Sequence, residues 1–475
     1  MRAVVMGAGY VGLVTAAGLA ELGHQVMAVE PDAGRRQALA AGRVPFHEPG
    51  LQELVARNRA AGRLIPAPAW DPGFPAEVFL VAVGTPARPD GSPDLTQLHA
   101  AAQAIRTGLA AAPPGEGTAR PLVVLRSTIP PGTTREVAGW LADLAPVAHN
   151  PEFLAEGTAV RNFFHPDRVV IGVQEPGDAA PLLALYRPVV EQRFRVPLPE
   201  GELVGQGVPV PVRVTSPEEA ELIKLGANAM LATRVSFINE LARLCDRCGA
   251  RVSEVAAGIG LDPRIGPAFL RAGVGWGGSC FGKDVQALLA AGAARGIDLT
   301  IAAAALGANR SQRRWFADRI GEALGGLRGK ALGVLGLAFK PGTDDLRDAP
   351  ALDLIRMLLA GGARVSAHDP VAMARCRAEH PELPIGYAES PAAAARGAHG
   401  LVLVTDWPEY AALDLRALRQ GMAAAAGSRP LLADGRNLFD PAAAAAAGFA
   451  YLGVGVPGPG EPGSGPAAGV PQQEQ

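Results

Sequence analysis

Apolar positions follow two rhythms along this chain, and the rhythm changes near residue 217. Before that point, unbroken apolar runs of strand length alternate with amphipathic stretches of helical period. Residues 2–6, 25–30, 78–83 and 122–125 are the runs, and residues 11–22, closed by Gly23, read as the first helix. The runs lead into small polar or glycine-rich loops: Gly7 to Gly12, Gly84-Thr-Pro86 and Ser127-Thr-Ile-Pro-Pro-Gly132. A further loop, Asn150 to Gly157, lies beyond another short strand. Repeated strand, loop and helix predict a parallel sheet, with the loops gathered into one cleft at the carboxyl ends of the strands.

From residue 217 to 247 the period is helical, with Ser216 placed as an N-cap and Glu218, Glu219 and Glu221 in the first turn. Such a length suits a spine linking two domains. Helical sequence continues to about residue 324, and a second strand–helix alternation follows. Its strands are predicted at 331–337, 364–368, 401–405 and 431–433, with a helix at 351–359. The predicted fold class is α/β: two doubly wound Rossmann-like domains joined by a long central helix and a helical region. Divisions fall at 1–214, 215–325 and 326–454, and the Gly/Pro-rich residues 455–475 read as a disordered tail.

Composition mainly excludes. With 475 residues, a formal net charge of −2 and 48% hydrophobic residues, the chain needs two or three domains. Its charge gives no reason to expect nucleic acid or an anionic membrane as partner. The first thirty residues lack the features of a signal peptide, and charges interrupt the Ala-rich runs before they reach membrane-spanning length. A soluble, cytoplasmic protein is expected. Four cysteines, Cys245, Cys248, Cys280 and Cys376, are too few for a disulfide scaffold. Cys245-Asp-Arg-Cys248 has the spacing of a redox pair or half a zinc site, but no second ligand pair follows. Late in a helical run, these thiols read as packing or surface groups, and no metal site is predicted.

Two segments carry chemistry. Gly7-Ala-Gly-Tyr-Val-Gly12 follows a strand and opens a helix, and Glu30 comes 18 positions after its third glycine. In that context the glycines admit a pyrophosphate to the helix N-terminus, and Glu30 binds the ribose hydroxyls. An acid there favours NAD over NADP, although Arg35 and Arg36 lie close enough to receive a 2′-phosphate. The second segment is Gly275-Trp-Gly-Gly-Ser-Cys-Phe-Gly-Lys-Asp284. It sets a nucleophile, a cation and a carboxylate within five residues, behind glycines that let backbone approach a ligand. A redox cofactor with an activated thiol points to oxidation through a covalent sulfur intermediate, carrying an alcohol past the aldehyde to an acid. Lys224 and Asn228 stand one helical turn apart, as do Glu152 and Glu156. Taken alone, each pair reads as a solvated or helix-start pair.

Together these segments resemble the UDP-glucose/GDP-mannose dehydrogenase family over about residues 1–455. The resemblance rests on residues 7–13, Pro45-Phe-His-Glu-Pro-Gly-Leu51, Gly84-Thr-Pro86, and residues 127–133, 150–157, 221–240, 264–284 and 339–350, with Asp434-Gly-Arg-Asn437. It implies an N-terminal NAD-binding domain, a central dimerisation region and a C-terminal UDP-sugar-binding domain. The implied reaction is the four-electron oxidation of UDP-glucose to UDP-glucuronate by two NAD in sequence, supplying acidic sugar for envelope polysaccharide. Cys280 adds to the aldehyde as a thiohemiacetal, which is oxidised to a thioester and hydrolysed. The resemblance makes Cys280, Lys224, Asn228, Asp284, Glu152, Glu156 and Thr128 catalytic. It assigns the cofactor to Gly7, Gly9, Tyr10, Val11, Gly12, Glu30, Thr85, Thr128, Glu156, Lys283 and Arg347. It assigns the substrate to Glu152, Phe153, Leu154, Lys224, Asn228, Gly277, Cys280, Phe281, Phe339, Lys340 and Arg436, with Arg264 reaching it from the second subunit of a homodimer.

Departures are few. Trp276 stands where the family usually has Phe, and its ring is expected to pack against the nucleotide. Residues 191–211 form an apparent insertion, rich in Val, Pro and Gly and predicted as a surface hairpin; a smaller one lies near 112–119. Rival substrates are UDP-N-acetylmannosamine, UDP-N-acetylgalactosamine and GDP-mannose, against which Glu48-Pro-Gly-Leu51 and residues 234–240 favour the UDP-glucose branch. A two-electron hydroxyacid dehydrogenase would need the lysine and asparagine but no thiol. A non-catalytic NAD-sensing protein would have no use for Cys280, Lys224, Asn228 and Asp284 together.

Overall fold

A strand in a parallel sheet covered on both faces has no solvated side, which is why its sequence is an unbroken apolar run. The computed structural model of the chain describes residues 1–111, 119–199, 201–424 and 428–457, and bears out this pattern. It divides into two units, Met1–Ala227 with Gln286–Asp298, and Asn228–Val285 with the residues from Leu299 onward.

The first unit contains β1 (Arg2–Met6), β2 (Gln25–Val29), β3 (Leu64–Ala67), β4 (Val78–Val81), β5 (Leu122–Leu125), β6 (Val147–His149), β7 (Val169–Gly172), β8 (Arg195–Leu198), β9 (Gly201–Val204) and β10 (Val212–Thr215). Eight of them form one sheet in the order β10-β7-β6-β5-β4-β1-β2-β3. Only the β6–β7 pairing is antiparallel. The period of two divides β1 between two cores: Ala3 and Val5 pack on one face, Val4 and Met6 on the other. Strands β3 and β10, at the two edges of the sheet and only partly buried, lack the all-apolar run of the central strands and escape a sequence reading, as does β7. Strands β8 and β9 make the separate antiparallel hairpin expected of residues 191–211. Val196 and Val210 root it in the core.

The second unit contains β11 (Ala331–Leu335), β12 (Arg364–His368), β13 (Gly386–Tyr387), β14 (Gly400–Leu403), β15 (Leu431–Asp434) and β16 (Ala450–Leu452). Their order is β13-β12-β11-β14-β15-β16, the same winding as β3-β2-β1-β4-β5-β6 in the first sheet. Both sheets therefore reverse strand order beside their first strand, where a doubly wound fold presents its ligands. Asp369, just after β12, corresponds in position to Glu30 after β2. Its carboxylate is spent on Leu337 N, Ala338 N, Val371 N, Ala372 N and the Trp407 indole. It has no capacity left for a ribose.

The spine helix runs over Pro217–Cys248, 32 residues. Ser216 caps it reciprocally: Glu219 N donates to Ser216 Oγ at 3.4 Å, and Ser216 N to Glu219 Oε2 at 2.9 Å. Glu221 serves another helix, accepting from Gly132 N, Thr134 N and Thr134 Oγ1 at the start of Thr133–Leu141. Cys245 is buried and Cys248 exposed, and among the described residues no cluster of three metal-ligating side chains occurs. No helix of the described residues is long and apolar enough to cross a membrane. Gly455 and Val456 belong to the fold: Val252 N donates to Gly455 O at 2.9 Å. The rest of the Gly/Pro-rich tail, from 458, and the segment 112–118 lie outside the described residues.

Candidate active site

In the first unit, the carboxyl edge of the sheet is built around Gly7. Its φ of +94° is left-handed, and a Cβ there would lie 2.8 Å from Ala82 O. Gly12 lies so close to Gly7 that a Cβ would strike its carbonyl, whereas a Cβ on Gly9 would meet nothing within 4 Å. The helix Tyr10–Glu21 begins beside that open space with no side-chain cap and no acid in its first turn. A glycine turn that lets backbone close in at an uncapped helix N-terminus fits a dinucleotide pyrophosphate. Glu30 is buried beside it, accepting from Ala8 N at 3.3 Å and Asp32 N at 3.0 Å. Arg36 is committed to the carbonyls of Glu30 and Pro31, and Arg35 N is taken by Asp32. Tyr10 stacks on Phe46 with ring centroids 3.9 Å apart, and Val11 packs at the margin of the core. Thr85 Oγ1 donates to Thr128 O at 2.9 Å, tying the loops after β4 and β5 together.

The loop after β6 holds Glu152, Phe153, Leu154 and Glu156. Glu152 is buried and paired with Lys224 Nζ at 3.1 Å, and Leu154 N donates to its other oxygen at 2.6 Å. Burial opposes ionisation of Glu152, but Lys224 and then Arg126 outweigh it and hold the carboxyl below its usual range. His149, fully buried with Nδ1 on Leu125 O, is pushed down to about 3 by burial and stays neutral. Phe153 lies under the Arg168 guanidinium at 3.8 Å. Glu156 is half-buried. Glu48 fastens the far end of the loop, accepting from Gly157 N at 2.6 Å and Ala159 N at 2.7 Å.

In the second unit, Cys280 immediately precedes the helix Phe281–Ala293, and its carbonyl accepts from Asp284 N at 2.9 Å. A sulfur so placed gains from the positive end of the helix. Ser279 Oγ lies 3.5 Å from Cys280 Sγ. Asp284, 1% exposed, accepts from Asn228 Nδ2 and Lys283 Nζ, each at 2.5 Å. Glycine is required beneath the cysteine: a Cβ on Gly277 would lie 2.3 Å from Asp348 O, and one on Gly278 would lie 2.6 Å from the Phe339 ring. Lys340 Nζ stands 5.6 Å from the centre of that ring. Arg436 reaches Gly275 O at 3.2 Å, so the loop after β15 meets the start of the cysteine segment. Arg347 is exposed and paired with buried Asp345, and Arg264, 87% exposed, is paired with Asp262. Phe281 packs between Trp276 and Phe269.

Trp276, in place of the usual Phe, has a donor of its own to satisfy. Its ring is buried, and its indole N–H donates to Ser236 Oγ at 3.0 Å, so it packs on the spine helix. A larger ring than Phe, with a donor to satisfy, is drawn to the nearest buried acceptor.

The family's NAD binding domain matches residues 1–190, its central domain 218–311 and its UDP binding domain 333–441. A UDP-glucose 6-dehydrogenase of Pseudomonas aeruginosa is 42% identical over 96% of this chain and 98% of its own. The chain belongs to the UDP-glucose/GDP-mannose dehydrogenase family. Another relative, the UDP-glucose 6-dehydrogenase of Rhizobium meliloti, is 39% identical over 96% of this chain and all of its own length. Among solved structures, the UDP-glucose dehydrogenase of Pyrobaculum islandicum superposes with a TM-score of 0.83 at 38% identity, covering 96% of this chain and 98% of that one. The UDP-D-ManNAc dehydrogenase of Pyrococcus horikoshii reaches 0.77 at 26% identity, covering 96% and 99%. Glu30 and the three glycines thus lie in the family's NAD-binding domain. Arg126, beside Glu152, was passed over in the sequence, and Glu48 was marked there only as part of its loop motif, without its role as a clamp. A lone arginine directly after an all-apolar strand, β5, was the available signal for Arg126.

Proposed function

We propose that this protein oxidises the C6 hydroxyl of UDP-glucose to the carboxylate of UDP-glucuronate, with NAD as hydride acceptor in both steps. The observation that carries the reading is Asp284, buried four residues after Cys280 and held by Asn228 and Lys283. High identity to curated UDP-glucose 6-dehydrogenases supports the choice of sugar over its N-acetyl and GDP-linked rivals.

NAD supplies the acceptor for each hydride when it is bound. The chain's own groups do the remainder. Lys224 and Asn228, one turn apart on the spine helix, stabilise the oxyanion that develops at C6. The first oxidation leaves an aldehyde, and the Cys280 sulfur adds to it, forming a C–S bond and a thiohemiacetal. Loss of a second hydride from that carbon gives the thioester. Water then breaks the C–S bond, returning the thiol and releasing the acid. Asp284 handles protons in these steps, and Glu152, with Glu156 and Thr128, orients the water. Phe153, Leu154, Gly277, Phe281, Phe339, Lys340 and Arg436 hold the sugar nucleotide. Tyr10, Val11, Thr85, Lys283 and Arg347 complete the cofactor contacts around Gly7, Gly9, Gly12 and Glu30.

The active form is a homodimer in which the exposed Arg264 completes the neighbouring site. Met230, Phe237 and Leu244 support it: they recur every seven residues on the spine helix at 62%, 50% and 60% exposure. Residues 215–325 then form the dimerisation region between cofactor and sugar-nucleotide domains, in a cytoplasmic enzyme feeding acidic sugar to polysaccharide synthesis.

The test is NADH formed per UDP-glucose consumed in excess NAD. About two per sugar is expected, and about one would remove the thioester from the mechanism. Cys280→Ser should abolish turnover to the acid, and near-native production of UDP-glucuronate by that variant would overturn the covalent route. Faster turnover of an N-acetyl sugar or GDP-mannose would reassign the substrate.

A further inference from the structure

Arg126 directly follows β5 inside the first unit and is 6% exposed. Burial of a guanidinium is costly unless its charge and donors are answered. Its donors are: Nε to Thr15 Oγ1 at 3.1 Å and Nη1 to Asn150 Oδ1 at 2.5 Å. Asn150 is itself fixed by donation to Val170 O at 2.7 Å. The guanidinium carbon lies 5.8 Å from the centre of the Tyr186 ring. All these partners are neutral, and among the described residues no carboxylate comes within ion-pair distance of Arg126. The charge is therefore answered by a field, not by a contact.

One buried carboxylate stands in that field. Arg126, Asn150, Glu152, Phe153 and Tyr186 line a single cavity of about 60 Å³, and Glu152 makes its ion pair with Lys224 at the same place. The other titratable groups around Glu152 are His149, kept neutral by burial, and the buried Tyr186 phenol, raised by burial and thus also neutral. Half-buried His165, exposed Asp167 and half-buried Arg168 also line the cavity, Arg168 lying against Phe153. Glu48, at the far end of the loop, is taken up by backbone N–H groups. The buried cluster thus holds two cations, Arg126 and Lys224, against one carboxylate, Glu152.

We propose that Arg126 is the second cation of the Glu152 site, a positioning residue that keeps this carboxylate ionised and leaves Lys224 available to the substrate. With Lys224 alone the pair would be neutral, and each turn of Lys224 toward a developing oxyanion would leave Glu152 buried without a counter-charge. With Arg126 the cluster carries one net positive charge throughout. This consequence rests on the proposed oxidation, in which Lys224 stabilises negative charge on the sugar; the electrostatic arrangement itself does not.

Infrared titration of the intact protein tests the arrangement without any turnover. The protonated Glu152 carboxyl band is assigned by its loss in Glu152→Gln and followed against pH in the native protein, Arg126→Gln, Arg126→Met and Arg126→Lys. Arg126→Gln keeps donors for Thr15 and Asn150 without charge, and serves if the methionine variant fails to fold. The band should appear about one pH unit higher in the uncharged variants and near the native position in Arg126→Lys. The acid limb of kcat should move up with it, kcat falling more than KM rises. An unchanged midpoint in Arg126→Gln, or an equal shift in Arg126→Lys, overturns the inference. A native protein that gives no NADH from UDP-glucose would refute the proposed function and leave the infrared result standing.

Discussion

The residues that do chemistry are held by neighbours with no reactivity of their own. Glu48 makes the point: its carboxylate accepts from Gly157 N and Ala159 N, closing the loop that carries Glu152 and Glu156 and starting the helix Ala159–Phe164. The hairpin insertion packs behind it, with Leu198 about 3.1 Å from where a Cβ on Gly50 would stand. Glu48→Ala leaves buried N–H groups without their acceptor and frees the loop. We expect kcat/KM for UDP-glucose to fall on the order of tenfold, mostly through KM, as steady-state kinetics would register. An unchanged KM would mean that the loop keeps its place without the clamp. The sequence motif Pro45 to Leu51 marked this loop as distinctive, but its partner lies 109 residues away, which no local pattern reveals.

Elements are joined by the same kind of buried polar contact. Asp246, in the last turns of the spine helix, faces Arg319 at 3.5 Å and receives the backbone of Gly455 and Val456. Burial pushes its carboxyl up to about 6, with Arg319 only partly offsetting it. A carboxyl raised in the folded state favours folding while protonated. That contribution is present below the ordinary aspartate range and is lost as pH rises through about 6. Its size is roughly 3 kcal/mol. Asp246→Asn removes the titration, so thermal melts should show the variant gaining on the native protein between pH 4 and pH 7. Parallel pH dependence of the two would contradict this. Helix and strand positions followed the periodicity closely, but the C-terminal segment joined the fold two residues beyond where composition ended it. Gly455, at φ +67°, fits against Ala242 and Val252 because it has no side chain.

At the scale of the molecule, the proposed dimer makes a prediction that neither subunit satisfies alone. Arg264→Ala and Cys280→Ser should each be nearly inactive. When the two are denatured, mixed equally and refolded, half of the dimers are hybrids with one intact site, made of Cys280 from one chain and Arg264 from the other. Activity should return to about a quarter of native. No recovery, with hybrid dimers present by mass, would place Arg264 in its own subunit's site or outside any site.

Sequence alone determined the two doubly wound sheets, the spine helix, the glycine turn and the cysteine segment. These depend on local rules: apolar runs for buried strands, a 3.6-residue period, and glycine where a backbone must turn or be approached. Tertiary structure decided which polar groups meet. Only folding brought Arg126 to the cavity of Glu152, Glu48 to Gly157, Glu221 to the start of a different helix, and Trp276 to Ser236. Buried charges and donors take whatever partner the fold brings within reach, and that reach is set by packing across the sheet and the helices, not by spacing along the chain.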